Sequence, residues 1–390
     1  MKLAYLLYLD VEKYDGVTNK VVTQIETWVN QGNEVALFCI VPKLPSTQTS
    51  LARISSITTI IEEEKVLGAS AGLLAGWFKS DKVQKLLINK LAAYNPDLVY
   101  YRNTAYSSTI RHINKRFITV CEINTLEQAE YKLQRFNSVK YLFRYLHYTL
   151  LHRFAFNEVN GVVGVTHEIT DQIKKSGYKS HTAVVPNSIN VSDYLKPKTI
   201  EGSPSQIPKL VFIGTPGMSW HGVDRIIKIA ESTLSQLEFH IIGYSKGDFD
   251  NPPPNVKFYG VLPSGETYKV ISTCHIGIGT MALFRKEMEE ACPLKVRECL
   301  SYGLPMILGY EDTAFITDSA TRKANYPDYV LKLSNQEEIT QEDVNKVVDF
   351  CYKYRDTQLT FEDVAPFIDV HLLETKRLEF LKRVYGSTRG

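Results

Sequence analysis

The feature that most constrains this chain is an alternation, met twice along its length, of continuous apolar runs with stretches of helical spacing. Residues 3–9 are apolar, and a loop containing Gly16 follows them. In residues 19–30, Val21, Val22, Ile25 and Trp28 recur near the helical period, as on a helix with one buried face. Gly32 ends that helix and residues 34–41 read as the next strand, so the chain opens with a βαβ unit. Residues 98–101, 117–122 and 161–166 are further strand-like runs. Runs that are apolar throughout suit strands covered on both faces, the condition of a parallel sheet flanked by helices.

A second series begins later, with strands expected at 209–214, 237–243, 256–259, 276–279, 305–308 and 330–333 and helices at 222–232, 267–272 and 294–302. Between the two series lie the turn Pro186-Asn187-Ser188-Ile189-Asn190 and a linker at 196–208 rich in Pro, Ser and Lys. The expected fold class is α/β, with two Rossmann-like open parallel-sheet domains at 1–190 and 205–367. A length of 390 residues fits two domains, because single cores stop growing beyond about 250–300 residues. Such domains leave a cleft at the carboxyl ends of their strands, where this architecture takes ligands. Residues 368–390 read as a terminal helix that either caps the second domain or returns to the first.

Composition narrows the class. A net charge of +2 is too small to argue for nucleic acid as a partner. The cysteines Cys39, Cys121, Cys274, Cys292, Cys299 and Cys351 are scattered without zinc-ligand spacing, as expected of buried small hydrophobes in a reducing compartment. Asp10, Glu12 and Lys13 interrupt the opening apolar run before it could serve as a signal peptide. Across 57–78, Glu62, Glu63, Glu64 and Lys65 break the nearest candidate for a membrane span. The expected location is cytoplasmic, with any membrane touched at its inner face. Residues 132–153 offer such a contact: Lys132, Arg135, Lys140, Arg144 and Arg153 occur without an acid, interleaved with Phe136, Tyr141, Phe143 and Tyr145. This stretch reads equally as an anionic-membrane contact or as a helix with inward aromatics and solvated cations.

Two segments carry candidate chemistry. The loop Gly214-Thr215-Pro216-Gly217-Met218-Ser219-Trp220-His221-Gly222 joins a strand to a helix, and its glycines allow an anion close to the backbone. It fits neither the dinucleotide fingerprint nor a P-loop. Asp15-Gly16-Val17-Thr18-Asn19 is a second strand-to-helix loop, open to the same reading or to that of a plain connection. Sharper is Glu290-Ala291-Cys292-Pro293-Leu294-Lys295-Val296-Arg297-Glu298, in which Pro293 suits a first helical turn and Gly303 a C-cap. Lys295 and Glu298, three apart, share a helix face, either to meet a ligand or as a structural pair.

This pattern resembles the retaining GT-B glycosyltransferases of glycosyltransferase family 4, in its cell-surface polysaccharide branch. Their signature is an acid, seven residues and a glutamate opening a Gly-x-Pro helix-to-strand turn, here Glu290, Glu298, Gly303 and Pro305. Gly32-Asn33-Glu34-Val35, Pro96-Asp97-Leu98-Val99-Tyr100-Tyr101-Arg102 and Pro186-Asn187-Ser188-Ile189-Asn190 match further landmarks in order. The resemblance implies a hexosyltransferase-type enzyme moving a sugar from a UDP- or GDP-sugar to a saccharide or lipid-linked acceptor, in polysaccharide or glycoconjugate synthesis. It implies that Glu298 binds the ribose, Glu290 lies beside the transferred sugar, and the backbone at Leu294 and Lys295 meets the diphosphate, with Gly16, Gly214, Thr215 and His221 lining the nucleotide site. It implies no metal, and no D-x-D run stands in a suitable loop. The mechanism that the resemblance implies has the departing phosphate oxygen take the acceptor's proton, so that the protein would supply orientation and charge rather than a dedicated base.

Three departures stand out. The family's arginine and lysine around the diphosphate are replaced by Thr215 and His221. Arg285, Lys286 or Lys295 could substitute, and a neighbouring phosphate would favour protonated His221. The family's first-domain histidine is replaced by Asn124, which can contact a sugar hydroxyl but cannot act as a base, with Glu127 or Glu130 as the following glutamate. Glu122 and Glu130 are candidates for acceptor contact or for surface charge. Alternatives are a non-catalytic carbohydrate- or sugar-nucleotide-binding subunit and a non-hydrolysing sugar-nucleotide epimerase.

Overall fold

The computed structural model describes residues 1–11, 13–46, 49–63, 75–103, 107–136, 138–156, 158–194, 207–318 and 320–389. Most of the linker at 196–208, much of the 57–78 segment, and the side chains of Lys140 and Arg153 lie outside the described residues. The chain divides into two units, Met1–Val185 with Val370–Gly390, and Pro186–Asp369.

In the first unit, β1 (Lys2–Tyr8), β2 (Glu34–Val41), β3 (Thr58–Glu62), β4 (Leu98–Arg102), β5 (Thr119–Ile123), β6 (Gly161–Gly164) and β7 (His181–Val184) form one sheet. Its order is β3-β2-β1-β4-β5-β6-β7, with every neighbouring pair parallel. The helices are α1 (Asp15–Asn30), α2 (Ala75–Tyr94), α3 (Ser108–Arg116), α4 (Glu127–Gln134), α5 (Val139–Phe156) and α6 (His167–Lys175). Asp15 to Asn19 are the first turn of α1 rather than a loop before it. Sequence reading missed β3 and β7, because edge strands with one half-wet face carry Thr and His instead of a continuous apolar run.

The second unit contains β8 (Lys209–Ile213), β9 (Glu238–Ile242), β10 (Val256–Phe258), β11 (Ile276–Ile278), β12 (Glu290–Ala291), β13 (Met306–Leu308), β14 (Glu311–Asp312) and β15 (Val330–Lys332). Six strands run parallel in the order β10-β9-β8-β11-β13-β15, and β12 pairs with β14 in a separate two-stranded sheet. Its helices are α7 (Val223–Glu231), α8 (Ser264–Ile271), α9 (Leu294–Ser301), α10 (Gln341–Tyr354) and α11 (Phe361–Ile368). Residues 186–190 group with this unit: the Asn187 amide donates to the Cys292 carbonyl at 2.5 Å, and the Ile189 N–H to the Ile368 carbonyl at 3.0 Å.

The last helix, α12 (Val370–Arg389), belongs to the first unit, where Leu373, Phe380, Leu381 and Val384 join its core. A side chain at Gly161 would meet Val384 at 2.9 Å and Phe380 at 3.3 Å, so glycine in β6 admits this helix. Trp28 of α1, fully buried, donates from Nε1 to Glu374 of α12 at 2.9 Å. No helix of the described residues is long and apolar enough to cross a membrane. All six cysteines are buried and unbridged.

Candidate functional site

In an open parallel sheet the chain reverses its winding between two central strands and leaves a crevice at their carboxyl ends. In the second unit those strands are β8 and β11, followed by the 214–222 loop and by residues 279–289. The loops are laced together: Met281 N–H donates to the His221 carbonyl at 3.0 Å and Ala282 N–H to the Trp220 carbonyl at 3.2 Å. Gly222, at φ +68°, permits this, since a Cβ there would stand 2.8 Å from the Ala282 nitrogen. Packing alone requires glycine at 214, because a Cβ would run into the Tyr244 and Phe212 rings.

The Glu290–Glu298 segment folds as strand, turn and helix. Glu290 lies on β12 opposite Glu311 and is 9% exposed. Pro293 is the extended residue before α9 rather than a residue of its first turn, and it makes no side-chain capping bond. The N–H groups of Leu294 and Lys295 therefore lack intrahelical acceptors, as at any helix start.

Arg297 anchors the helix from behind. It is completely buried, makes a bidentate ion pair with Asp312, and donates to the Asn187 carbonyl at 3.2 Å and to Cys292 Sγ at 2.8 Å. Cys292 also accepts from the Asn187 N–H at 3.0 Å, so it is a hydrogen-bond acceptor and not only a buried hydrophobe.

Lys295 donates from Nζ to Thr215 Oγ1 at 3.3 Å, which brings the helix start to the loop tip. Burial lowers its pKa to about 8, and the Glu298 carboxylate only partly offsets that. Burial likewise raises the Glu298 pKa against the pull of Lys295. Among the described residues the two form no direct ion pair, although each charge acts on the other. A half-buried cation and a half-buried carboxyl face the same region without neutralising each other.

His221 does not replace the missing cation. Burial, then the neighbouring Lys295 and Lys286, lower its pKa to about 3, so the ring is neutral. The Thr215 N–H points at its Nδ1 from 3.3 Å, and the Tyr244 hydroxyl lies 2.9 Å from the same atom and 2.8 Å from the Thr215 carbonyl. His221 thus shapes the loop. Arg285 is committed to Asp224 by two bonds of 2.9 and 2.8 Å, and to Glu337 and the Ser219 carbonyl besides. Lys286 is buried, its Nζ 4.8 Å from the centre of the Trp220 ring. Of the three candidate cations, Lys295 is the one hydrogen-bonded to Thr215.

A cavity of about 370 Å³ beside the loop is lined by Gly217, Ser219, Tyr244, Phe249, Asp224 and Asp248 among others. Its carboxylates disfavour a diphosphate. The sequence reading passed over one D-x-D run, Asp248 and Asp250 around Phe249 in the loop after β9, where Asp248 accepts from the Ser245 N–H at 2.8 Å as part of a capping box.

In the first unit, Gly16 sits exposed in the first turn of α1, and among the described residues nothing lies within 4 Å of where its Cβ would be. Asn124 follows β5 and accepts at Oδ1 from Lys20 Nζ at 3.0 Å. Glu122 is fully buried and pairs with Lys20 at 2.5 Å, so it is neither an acceptor contact nor surface charge. Burial raises its pKa, but Lys20, Arg377 and Arg102 outweigh that and hold it well below the carboxylate range. Glu130 accepts from Thr125 Oγ1 at 2.6 Å. Burial and then the Glu130 charge raise Glu127 to about 7. Along α4 and α5, Phe136, Val139, Phe143 and Leu150 are exposed while Tyr148 packs inward, so the stretch splits between the two readings offered for it.

No protein-family profile matches the chain, and no curated protein matches it in sequence. Solved structures do match. A sucrose-phosphate synthase from Thermosynechococcus elongatus superposes with a TM-score of 0.65 at 11% identity, over 99% of this chain and 100% of that one. An α-glucosyltransferase in complex with UDP and a 13-mer DNA gives 0.63 at 13% identity, over 98% and 99%. The apo lipopolysaccharide outer core galactosyltransferase WaaB gives 0.60 at 13% identity, over 98% and 100%. The chain has the GT-B fold.

Within this GT-B fold, several supports had no local sequence signal. Arg297 and Asp312 meet across fifteen positions. Asn335 pins the 284–289 segment by accepting from the Phe284 N–H at 2.9 Å and donating to the Met288 carbonyl at 2.8 Å. Lys20 reaches across 104 positions to Asn124. The readable signals were the acid spacing and the glycines, which act within one turn or loop.

Proposed function

We propose that the protein is a retaining glycosyltransferase that moves a hexosyl group from a UDP- or GDP-sugar to a hydroxyl of a saccharide or lipid-linked acceptor, in surface polysaccharide or glycoconjugate synthesis. The observation that carries this reading is the placement of Lys295, Glu298 and the start of α9 beside Thr215 at the strand-switch crevice. A helix start with an adjacent ammonium suits a diphosphate, and a carboxylate one turn on suits ribose hydroxyls. Glu298 then binds the ribose, Leu294 and Lys295 the diphosphate, and Glu290 the transferred sugar. Gly214, Thr215 and His221 hold the loop against the nucleotide. The second unit is the nucleotide-sugar domain, and the first, with Gly16 and Asn124, is the acceptor-side domain. UDP in one structure of the same fold, and lipopolysaccharide as the object of another, support a uridine donor and a surface glycan product.

The acceptor is reached at the cytoplasmic face of a membrane, where Phe136 and Phe143, 81% and 70% exposed beside Lys132, Arg135 and Arg144, contact lipid. The neutral His221 and Thr215 favour a second reading, a sugar-nucleotide-binding subunit without turnover.

A thermal-shift screen of UDP-, GDP- and ADP-sugars, with nucleoside diphosphate release measured against saccharide and lipid-linked acceptors, separates these. Transfer requires stabilisation by one donor, about 2.7 kcal/mol at a hundredfold excess over Kd, its loss in Glu298→Ala, and acceptor-dependent release. Stabilisation without release selects the binding subunit, conversion of donor without acceptor selects an epimerase, and no stabilisation by any donor overturns the site.

A further inference from the structure

Lys20 lies on α1 with its ammonium against the carboxyl end of β5, donating to Glu122 Oε1 at 2.5 Å and to Asn124 Oδ1 at 3.0 Å. An ammonium has donors only. The atom of Asn124 that faces it is therefore the carbonyl oxygen, since a flipped amide would set N–H against N–H. The opposite end of the amide, Nδ2, is buried and has no hydrogen-bond partner among the described residues. Leaving such a donor unmet costs about 1–3 kcal/mol, and folded proteins pair nearly all such groups.

The orientation is enforced from further back. Arg377 of α12 places Nη1 3.7 Å from Glu122, bonds Glu374 through Nε at 2.9 Å, and donates to the Tyr100 hydroxyl at 2.9 Å. Glu374 in turn accepts from Trp28 Nε1 and from Gln24 Nε2 at 3.0 Å. Among the described residues Glu122 Oε2 and Arg377 Nη2 also lack hydrogen-bond partners, but they belong to charges paired inside this cluster. The Asn124 donor stands at its edge, one residue past the strand end, where open α/β sheets take ligands.

We propose that Lys20 is a positioning residue: it holds the Asn124 amide so that Nδ2 is presented as a hydrogen-bond donor to a hydroxyl oxygen of the sugar acceptor, and the terminal helix fixes Lys20 through Glu122. This rests on the glycosyl-transfer reading above and adds the group that orients its acceptor contact.

Lys20→Met alone strands a buried carboxylate and endangers the fold. The test therefore uses Lys20→Met/Glu122→Gln, which removes both charges, beside Lys20→Arg and Asn124→Asp. The double variant is expected to keep its donor-induced thermal shift and lose tenfold or more in kcat/KM for the acceptor. Lys20→Arg retains most transfer, because it still offers only donors to Oδ1. Asn124→Asp keeps an oxygen for Lys20, replaces the donor, and loses transfer.

Full transfer in Asn124→Asp overturns the donor role of Nδ2, and full transfer in the double variant overturns the positioning role of Lys20. A readout independent of turnover is the solvent exchange of the Asn124 side-chain amide in protein carrying ¹⁵N-asparagine, its signal identified by disappearance in Asn124→Asp. Exchange at least tenfold faster in the double variant supports the positioning and equal exchange overturns it, even for a protein that transfers no sugar.

Discussion

The carboxyl edges of the two sheets handle charge in opposite ways. In the first unit Lys20, Glu122, Glu374 and Arg377 are buried and close on one another. In the second, Lys295 and Glu298 are desolvated without pairing, and both pKa values move toward the neutral forms. One closed pair, Arg297 with Asp312, stands behind them and holds their helix. Charges satisfied within the protein fix geometry, whereas charges left unsatisfied at a crevice are available to a ligand.

The contrast is broken most directly through stability. Arg377→Met is expected to destabilise the protein by about 3–5 kcal/mol in urea unfolding, because it leaves two buried carboxylates short of a cation. Lys295→Met is expected to be at least as stable as the parent, because a desolvated charge disappears and no ion-paired carboxylate is stranded. Equal losses in the two variants would erase the distinction.

The next effect is on pH. An unfolded lysine titrates near 10.4, whereas folded Lys295 is lowered to about 8. Between those values the unfolded chain binds more protons, so the contribution of Lys295 to stability is least favourable below pH 8 and improves as pH rises from there toward 10.5. Diphosphate binding draws the proton back, so nucleotide affinity is expected to fall by up to about tenfold per unit as pH climbs past 8. Calorimetric titration at pH 7 and 9.5 checks this, and Lys295→Arg, charged throughout, is expected to flatten the dependence.

The smallest effect on folding concerns the exposed aromatics. Phe136→Ser with Phe143→Ser is expected to leave stability within about 0.5 kcal/mol and to reduce sedimentation with anionic vesicles severalfold. Unchanged vesicle binding would sink the membrane contact.

Much of the fold was legible because buried parallel strands are written as continuous apolar runs: β1 lies one residue from the run read at 3–9, and β2 coincides with that read at 34–41. The candidate site was legible where its chemistry is local, as in the spacing of Glu290 and Glu298. Glu122 was misread because a glutamate closing a strand looks solvated in sequence, and its partners come from α1 and α12. The charge of His221 was not legible, because it depends on burial and on two lysines brought to it by other segments.

The central claim is that the unsatisfied charges of the second unit form the nucleotide-sugar site. Its most direct measurement is calorimetric titration, at pH 7, of the nucleoside diphosphate selected by the donor screen into the protein and into Lys295→Met. A charge-assisted contact contributes about 1.5–3 kcal/mol, so a Kd at least tenfold weaker in a variant at least as stable is predicted. The same Kd in both proteins would contradict the claim.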